Sequence, residues 1–138
     1  MIFLLALIVY GNLAAEPGLQ VELTGLRNDK GHVLASLYNS PEGYPDDPSK
    51  AFRKQKILIR NRKATLTFSS IPAGSYAVAI LHDENDDLKM NTNWIGLPKE
   101  GYGFSNNVMG SFGPPSFKKA SFRWNGSKDS KIIIRTRY

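Results

Sequence analysis

Apolar and polar positions alternate in short runs along most of this chain, and their period is two rather than three or four. A strand is predicted over residues 19–26 and another over 32–38, with Val33, Ala35 and Leu37 on one face. Residues 55–60 and 64–69 read as a hairpin around Asn61-Arg62-Lys63. In its second arm Ala64, Leu66 and Phe68 alternate with Thr65, Thr67 and Ser69, a half-buried pattern. Residues 76–82 are apolar on both faces, Tyr76, Val78 and Ile80 against Ala77, Ala79 and Leu81, which predicts a central strand. The preceding Pro72-Ala73-Gly74-Ser75-Tyr76 is the kind of turn in which a Tyr hydroxyl pins a sandwich corner. Residues 117–124 and 131–137 are the last two strands, joined through Asn125-Gly126.

Two stretches carry no period. Pro41, Pro45 and Pro48 exclude helix and strand from residues 40–48, and a short helical turn is predicted at 51–54. Residues 83–116 are rich in Gly, Pro, Asn and aromatics and predict neither helix nor strand, one loop far longer than an ordinary connection. Short strands separated by turns predict an all-β fold: a single antiparallel β-sandwich, immunoglobulin-like or transthyretin-like, with one long loop at about 83–116.

Length and composition narrow this further. With 138 residues, 41% hydrophobic and 22% charged, the chain suits one soluble globular domain. Residues 2–10 form an uninterrupted apolar run, closed by Gly11-Asn12 and followed by Leu13-Ala14-Ala15. The run is well short of the roughly 20 residues needed to span a bilayer. It reads as a signal peptide over residues 1–15, although no Lys or Arg precedes it, leaving an exported domain at 16–138. The expected location is periplasmic or extracellular. The absence of Cys excludes disulfides, thiolate catalysis and Cys-based zinc or iron–sulfur sites, which suits a bacterial envelope protein.

The chemistry concentrates after residue 82. Asp83, Asn85, Asp87 and Asn91 alternate as oxygen donors, the spacing with which a short loop curls around a hard cation, calcium being the one expected. A loop whose Asp and Asn side chains cap their own backbone is the other reading of the same residues. Trp94, Tyr102, Phe104, Phe112 and Phe117 follow among Gly and Asn. Aromatic faces beside amides suit a carbohydrate ring or a protein partner, and the same rings could instead turn inward and plug the end of the sandwich. The ligand-binding loop expected on this basis comprises His82, Asn93, Trp94, Glu100, Tyr102, Phe104, Ser105 and Asn106.

Four segments together carry a family resemblance: His82-Asp83-Glu84-Asn85; Asn91-Thr92-Asn93; Gly96 through Asn107; and Phe112-Gly113-Pro114-Pro115-Ser116-Phe117. With them the chain, from Val21 to Tyr138, resembles an exported bacterial family known as domain of unknown function 2141. The resemblance implies an exported β-sandwich and no enzyme activity. The family's acidic loop runs His-Asp-x-Asn-x-Asn-Gly-x-x-Asp-x-Asn. Here Asp87 stands for the second Asn, Leu88 for the Gly and Asn91 for the later Asp. Leu at a position that turns with positive φ carries a steric cost. Trp94 stands where a full calcium loop has its bidentate Glu, so Glu100 is the nearest further oxygen donor.

Charge adds one more feature. Lys50, Arg53, Lys54, Lys56, Arg60, Arg62 and Lys63 have no acidic residue between them in a chain of net charge +6. Such a patch attracts polyanions. Export makes envelope polyanions or lipids the expected partners and argues against nucleic acid, as does the near absence of stacking aromatics. The sequence therefore predicts a non-catalytic binding or structural module of the cell envelope. Two alternatives stay open: an enzyme using His82 with Asp83 or Glu100, and an envelope polyanion or lipid binder acting through the basic 50–63 segment.

Overall fold

The structure is a computed structural model that describes residues 18–89, 100–110, 113–126 and 130–138. The predicted signal peptide lies outside the described residues. Eight strands form two sheets: β1 (Gly18–Thr24), β2 (His32–Tyr38), β3 (Arg53–Leu58), β4 (Ala64–Ser69), β5 (Gly74–Asp83), β6 (Tyr102–Phe104), β7 (Phe122–Trp124) and β8 (Lys131–Arg135). A single helical turn, α1 (Phe117–Ala120), precedes β7. The smaller sheet runs β4-β1-β8, and the larger runs β3-β2-β5-β6 with β7 beside the start of β5. The protein is an all-β sandwich, as its alternation predicts.

The core lies between the sheets. Leu19, Val21 and Leu23 of β1, with Leu66 and Phe68 of β4, meet Val33, Ala35 and Leu37 of β2 and Tyr76, Val78 and Ile80 of β5. Trp124 is fully buried beside them, its indole N–H donating to the Ile71 carbonyl at 3.3 Å. Tyr76 does what its turn predicts: its hydroxyl donates to the Pro72 carbonyl and pins the corner ahead of β5.

Four expectations are corrected, and a short predicted turn shifts its position. Residues 55–60 and 64–69 do not form a hairpin, because β3 lies in the larger sheet and β4 in the smaller. The chain between them pairs where Arg60 and Lys63 meet across Asn61-Arg62, and the Gln55 amide of β3 donates to the Thr67 carbonyl of β4 at 2.7 Å. Both turn residues are left-handed (φ 52° and 58°), and the Asp29 carboxylate accepts both their N–H groups, at 3.1 and 2.7 Å. Second, residues 117–120 are helical rather than extended: the Ser116 hydroxyl caps the Lys119 N–H, and only Phe122–Trp124 is strand. Third, β8 pairs with β1 in parallel, so the sandwich is mostly rather than wholly antiparallel. The predicted turn at 51–54 forms slightly earlier, as a 3₁₀ turn at Pro48–Lys50 capped by Asp47.

The fourth correction matters most for the site. The long loop is not structureless, because β6 lies within it and pairs with β5, Leu81 opposite Tyr102 and Ala79 opposite Phe104. Gly101 and Gly103 flank Tyr102 because the C-terminal segment crosses them. A Cβ on Gly101 would sit 2.5 Å from the Tyr138 ring, and one on Gly103 would sit 2.8 Å from Ile134 and 3.0 Å from the Arg135 carbonyl. That close approach lets Tyr102 and Arg137 exchange backbone hydrogen bonds, at 2.9 and 2.8 Å, tying the two sheets together along one edge. Gly103→Ala is expected to destabilise the fold by about 1–3 kcal/mol, the usual cost of overpacking, as read from urea unfolding.

Candidate functional site

Strand β5 distributes its residues between two faces, and the chemistry divides with them. His82 has the parity of Val78 and Ile80 and is fully buried between the sheets. Its Nε2 lies 2.7 Å from the Lys30 carbonyl, which can only accept, so Nε2 carries a proton. In the neutral ring Nδ1 then accepts from the Tyr138 hydroxyl at 2.6 Å. That hydroxyl in turn accepts from the Arg27 N–H at 3.0 Å. The Arg27 guanidinium stacks over the Tyr138 ring, 4.5 Å from its centroid, and pairs with Glu84. Burial raises the Tyr138 phenol above its ordinary range; the Arg27 N–H opposes that shift and the Glu84 charge adds to it. Both nitrogens of His82 thus serve to lock the C-terminal residue to the loop at Lys30.

Asp83 has the other parity. Its carboxylate accepts the N–H of Asp87 at 3.2 Å and of Leu88 at 2.8 Å, closing the acidic loop on its own backbone. Asp87 repeats the device, accepting the N–H of Lys89 at 2.9 Å, and Asn85 donates its amide to Asp87 at 3.2 Å. Glu100, 4% exposed, accepts the Glu84 N–H at 2.6 Å and is thereby drawn to the same place. One oxygen each of Asp83, Asp87 and Glu100 lies within 4.8 Å of the others. His32 also reaches the loop, its Nδ1 2.6 Å from Asp86. Of the expected cation ligands, the fold brings together Asp83, Asp87 and the further donor Glu100, with Asn85 at the edge. Asn91 lies outside the described residues, as do Asn93 and Trp94 of the expected ligand-binding loop.

The rest of that loop is largely occupied in holding the fold. The Ser105 hydroxyl is fully buried, accepts the Val78 N–H at 2.9 Å and donates to the Ala120 carbonyl at 2.5 Å. Asn106 donates its amide to the carbonyls of Lys119 and Ser121, at 3.2 and 2.8 Å, capping α1. Asn107 pairs with the edge of β8, accepting the Arg135 N–H and donating to the Ile133 carbonyl. Phe104 and Phe117 pack edge-on around Tyr44, which also meets Tyr38, in an aromatic cluster on the outer face of the larger sheet. Burial, with a further contribution from Tyr38, raises the Tyr44 phenol. Tyr102, and with it one side of Phe104, faces an open space.

That space was not expected from the sequence. A groove of about 670 Å³ lies on the outer face of the larger sheet. Its floor is Leu34 and Ser36 of β2, Ala79 and Leu81 of β5, and Tyr102 and Phe104 of β6. Pro45, Pro48, Met109 and Pro114 wall it, and the acidic loop adds Leu88 and Lys89. A smaller basin of about 260 Å³ shares Leu34, Ser36, Pro48 and Leu88 with it and is lined by Lys54 and Lys56. Leu88 stands at φ 63° and is 63% exposed. The cost expected for Leu at this turning position is therefore incurred, and its side chain lies over the groove. The signal in the sequence was the apolar outer parity of residues 77–81, which was read only as centrality.

The basic segment divides along the same surface. Lys50 reaches Glu42 at 3.4 Å, and Arg53 stacks on Phe52 at 4.4 Å. Lys54 and Lys56 project from β3 beside Ser36 and Leu34. The residues therefore do not form one continuous hairpin patch.

Fold and site together define an all-β sandwich domain with a carboxylate-rich loop at one end of an apolar groove. The model of a bacterial family described as "Uncharacterized protein conserved in bacteria (DUF2141)" matches residues 21–132, and the chain belongs to that family. No curated protein and no solved structure matches it.

The carboxylates carry a pH dependence. Burial raises the Asp83 pKa; the N–H groups of Leu88 and Asp87 oppose the shift, and the Glu100 charge adds to it. The folded chain therefore holds this proton to higher pH than the unfolded chain. The favourable contribution is complete below the unfolded carboxylate value and is lost as pH rises through the folded one. Asp83→Asn is expected to remove that decline, flattening stability against pH above about pH 4, as read from urea unfolding at a series of pH values.

Proposed function

We propose that this protein is an exported, non-catalytic binding module of the bacterial cell envelope, with the groove on the outer face of the larger sheet as its binding surface. The observation that carries this reading is an apolar sheet face that the described residues leave uncovered at its middle, enclosed by loops and of ligand size, within the roughly 300–1,000 Å³ usual for small-molecule sites. Export is supported by the apolar leader over residues 1–15. A binding rather than catalytic role is supported by what the reactive side chains do. The imidazole of His82 and the hydroxyl of Ser105 have their hydrogen-bonding groups engaged within the fold. His82 also belongs to the inner face, whereas the groove belongs to the outer one. An enzyme using His82 with Asp83 or Glu100 would need to break the bonds that seat Tyr138 and the acidic loop.

N-phenyl-1-naphthylamine, an uncharged apolar fluorophore, is expected to bind the folded domain with a blue-shifted emission. Ala79→Trp, which fills the floor, should abolish that emission while the melting temperature stays within a few degrees. Equal fluorescence from the wild type and the Ala79→Trp protein would remove the groove from consideration.

A second reading concerns the acidic loop, and a specific observation favours it: three carboxylate oxygens held within 4.8 Å, two of their residues buried. All-oxygen donors of this charge suit a hard cation, and we propose calcium, held by Asp83, Asp87 and Glu100 with Asn85 alongside. Bound there, calcium would neutralise the cluster and hold in place the loop that walls the groove. Calcium at ten times its Kd would stabilise the fold by about 1.4 kcal/mol. The expected result is a rise in melting temperature with millimolar calcium, absent in Glu100→Gln. Titration without heat and without a melting shift would end the calcium reading and leave the groove untouched.

A further inference from the structure

We infer that the groove takes a fatty acid, its alkyl chain lying across the apolar floor and its carboxylate at Lys54 and Lys56. This rests on the groove being the working surface and names the class of ligand it takes.

The floor is the flat face of a sheet. The backbone N–H and C=O groups of β2, β5 and β6 point along the sheet and are engaged in its ladders, so they cannot bind a ligand lying on the face. Apart from those groups, Ser36 and the Tyr102 hydroxyl are the polar groups of the described floor. A peptide laid there would leave the amides that face the floor without partners, and a sugar would leave its hydroxyls so, which disfavours both. An alkyl chain needs no partners. From β3 to β6 the floor crosses three strand spacings, about 14 Å, which suits an extended chain with one polar end.

Charge selects which polar end. Lys54 and Lys56 are one side-chain period apart on β3, directly opposite Ser36 and Leu34, so both project on the groove side. Lys56 has no ion-pair partner among the described residues. Lys89 adds a third cation at the wall, and among the described lining residues Asp46 is the acidic one. Asp47 lies near enough to Lys54 to offset part of its charge, so the balance still favours an anion, with Lys56 the stronger anchor. The smaller basin joins the groove through Leu34, Ser36, Pro48 and Leu88, so head and tail have a continuous path. Leu88 keeps its left-handed backbone and exposed side chain at that junction, where it would cover the chain.

Isothermal titration compares dodecanoate with undecyltrimethylammonium, which has the same undecyl tail and the opposite charge, both below their micellar concentrations. Acetate supplies the head without the tail. Dodecanoate is expected to bind at least about tenfold more tightly than the cation, with acetate giving no heat. The double variant Lys54→Glu, Lys56→Glu should reverse the preference, and both positions are exposed on an edge strand, so folding is not at stake. Leu88→Gly should weaken dodecanoate binding while raising the melting temperature, an outcome that a damaged fold cannot produce. Equal affinity for the two amphiphiles, or indifference to the charge swap, would overturn the fatty acid and leave the groove an apolar binding surface. If N-phenyl-1-naphthylamine also fails to bind, both readings fall together. Co-sedimentation with phosphatidylglycerol vesicles in the absence of dodecanoate binding would overturn the inference in favour of a lipid surface.

Discussion

Everything else in this structure depends on β5 being apolar on both faces. A strand of this kind must be central, and each of its faces must be covered by something. The inner face is covered simply, by the smaller sheet, through Val78, Ile80 and Tyr76. Among the described residues no second sheet meets the outer face. It is covered in pieces: an aromatic cluster around Tyr44 over one end, and the acidic loop growing out of Asp83 at the other. Between them the described residues leave the floor open, and that remainder is the groove. The site is thus what an incompletely covered sheet face leaves behind.

The covering pieces are held by polar side chains rather than by regular structure. Ser105, Asn106 and Asn107 follow β6 directly and bind β5, α1 and β8 respectively. Asn106 and Asn107 are both left-handed, a conformation Asn tolerates better than most residues, and each turns an amide onto backbone that would otherwise lack a partner. The C-terminal segment is treated similarly. Two glycines open room for it, Arg137 pairs with Tyr102, and Tyr138 ends against the buried imidazole of His82. His82 therefore fastens the chain's last residue to the strand that carries the site, and removing it would be felt as lost order at that edge.

The strands that obey a period of two were legible: residues 32–38 and 64–69 are observed as read, and Tyr76 makes its corner bond. What was missed follows one rule. Residues 102–104 are a strand only because β5 has an edge to offer, and nothing in Tyr-Gly-Phe between glycines and a Ser signals this locally. Residues 117–120 fail as a strand because the Ser116 hydroxyl caps them, and only 122–124 reach a partner strand, at the start of β5. The split of 55–60 from 64–69 between two sheets is a tertiary choice that an Asn-Arg turn cannot reveal. In the site, the carboxylates of Asp83 and Asp87 were legible from spacing, and Glu100 entered as the nearest further oxygen donor. The groove was not, because its floor comes from three strands and only alternate residues of each.

Leu88 joins the two halves of the site. In the family pattern a Gly stands there, and Gly would adopt φ 63° without strain. Leu in the left-handed region costs roughly 1–2 kcal/mol, a sizeable share of the stability of a small domain. The two carboxylate oxygens of Asp83 hold the loop in that shape regardless, one of them on the N–H of Leu88 itself. At 63% exposure the Leu88 side chain gains little from burial to offset that backbone cost. Leu88 borders both the groove and the lysine basin. The acidic loop and the apolar surface therefore share one residue, whose backbone N–H is held by the Asp83 carboxylate and whose side chain borders the groove.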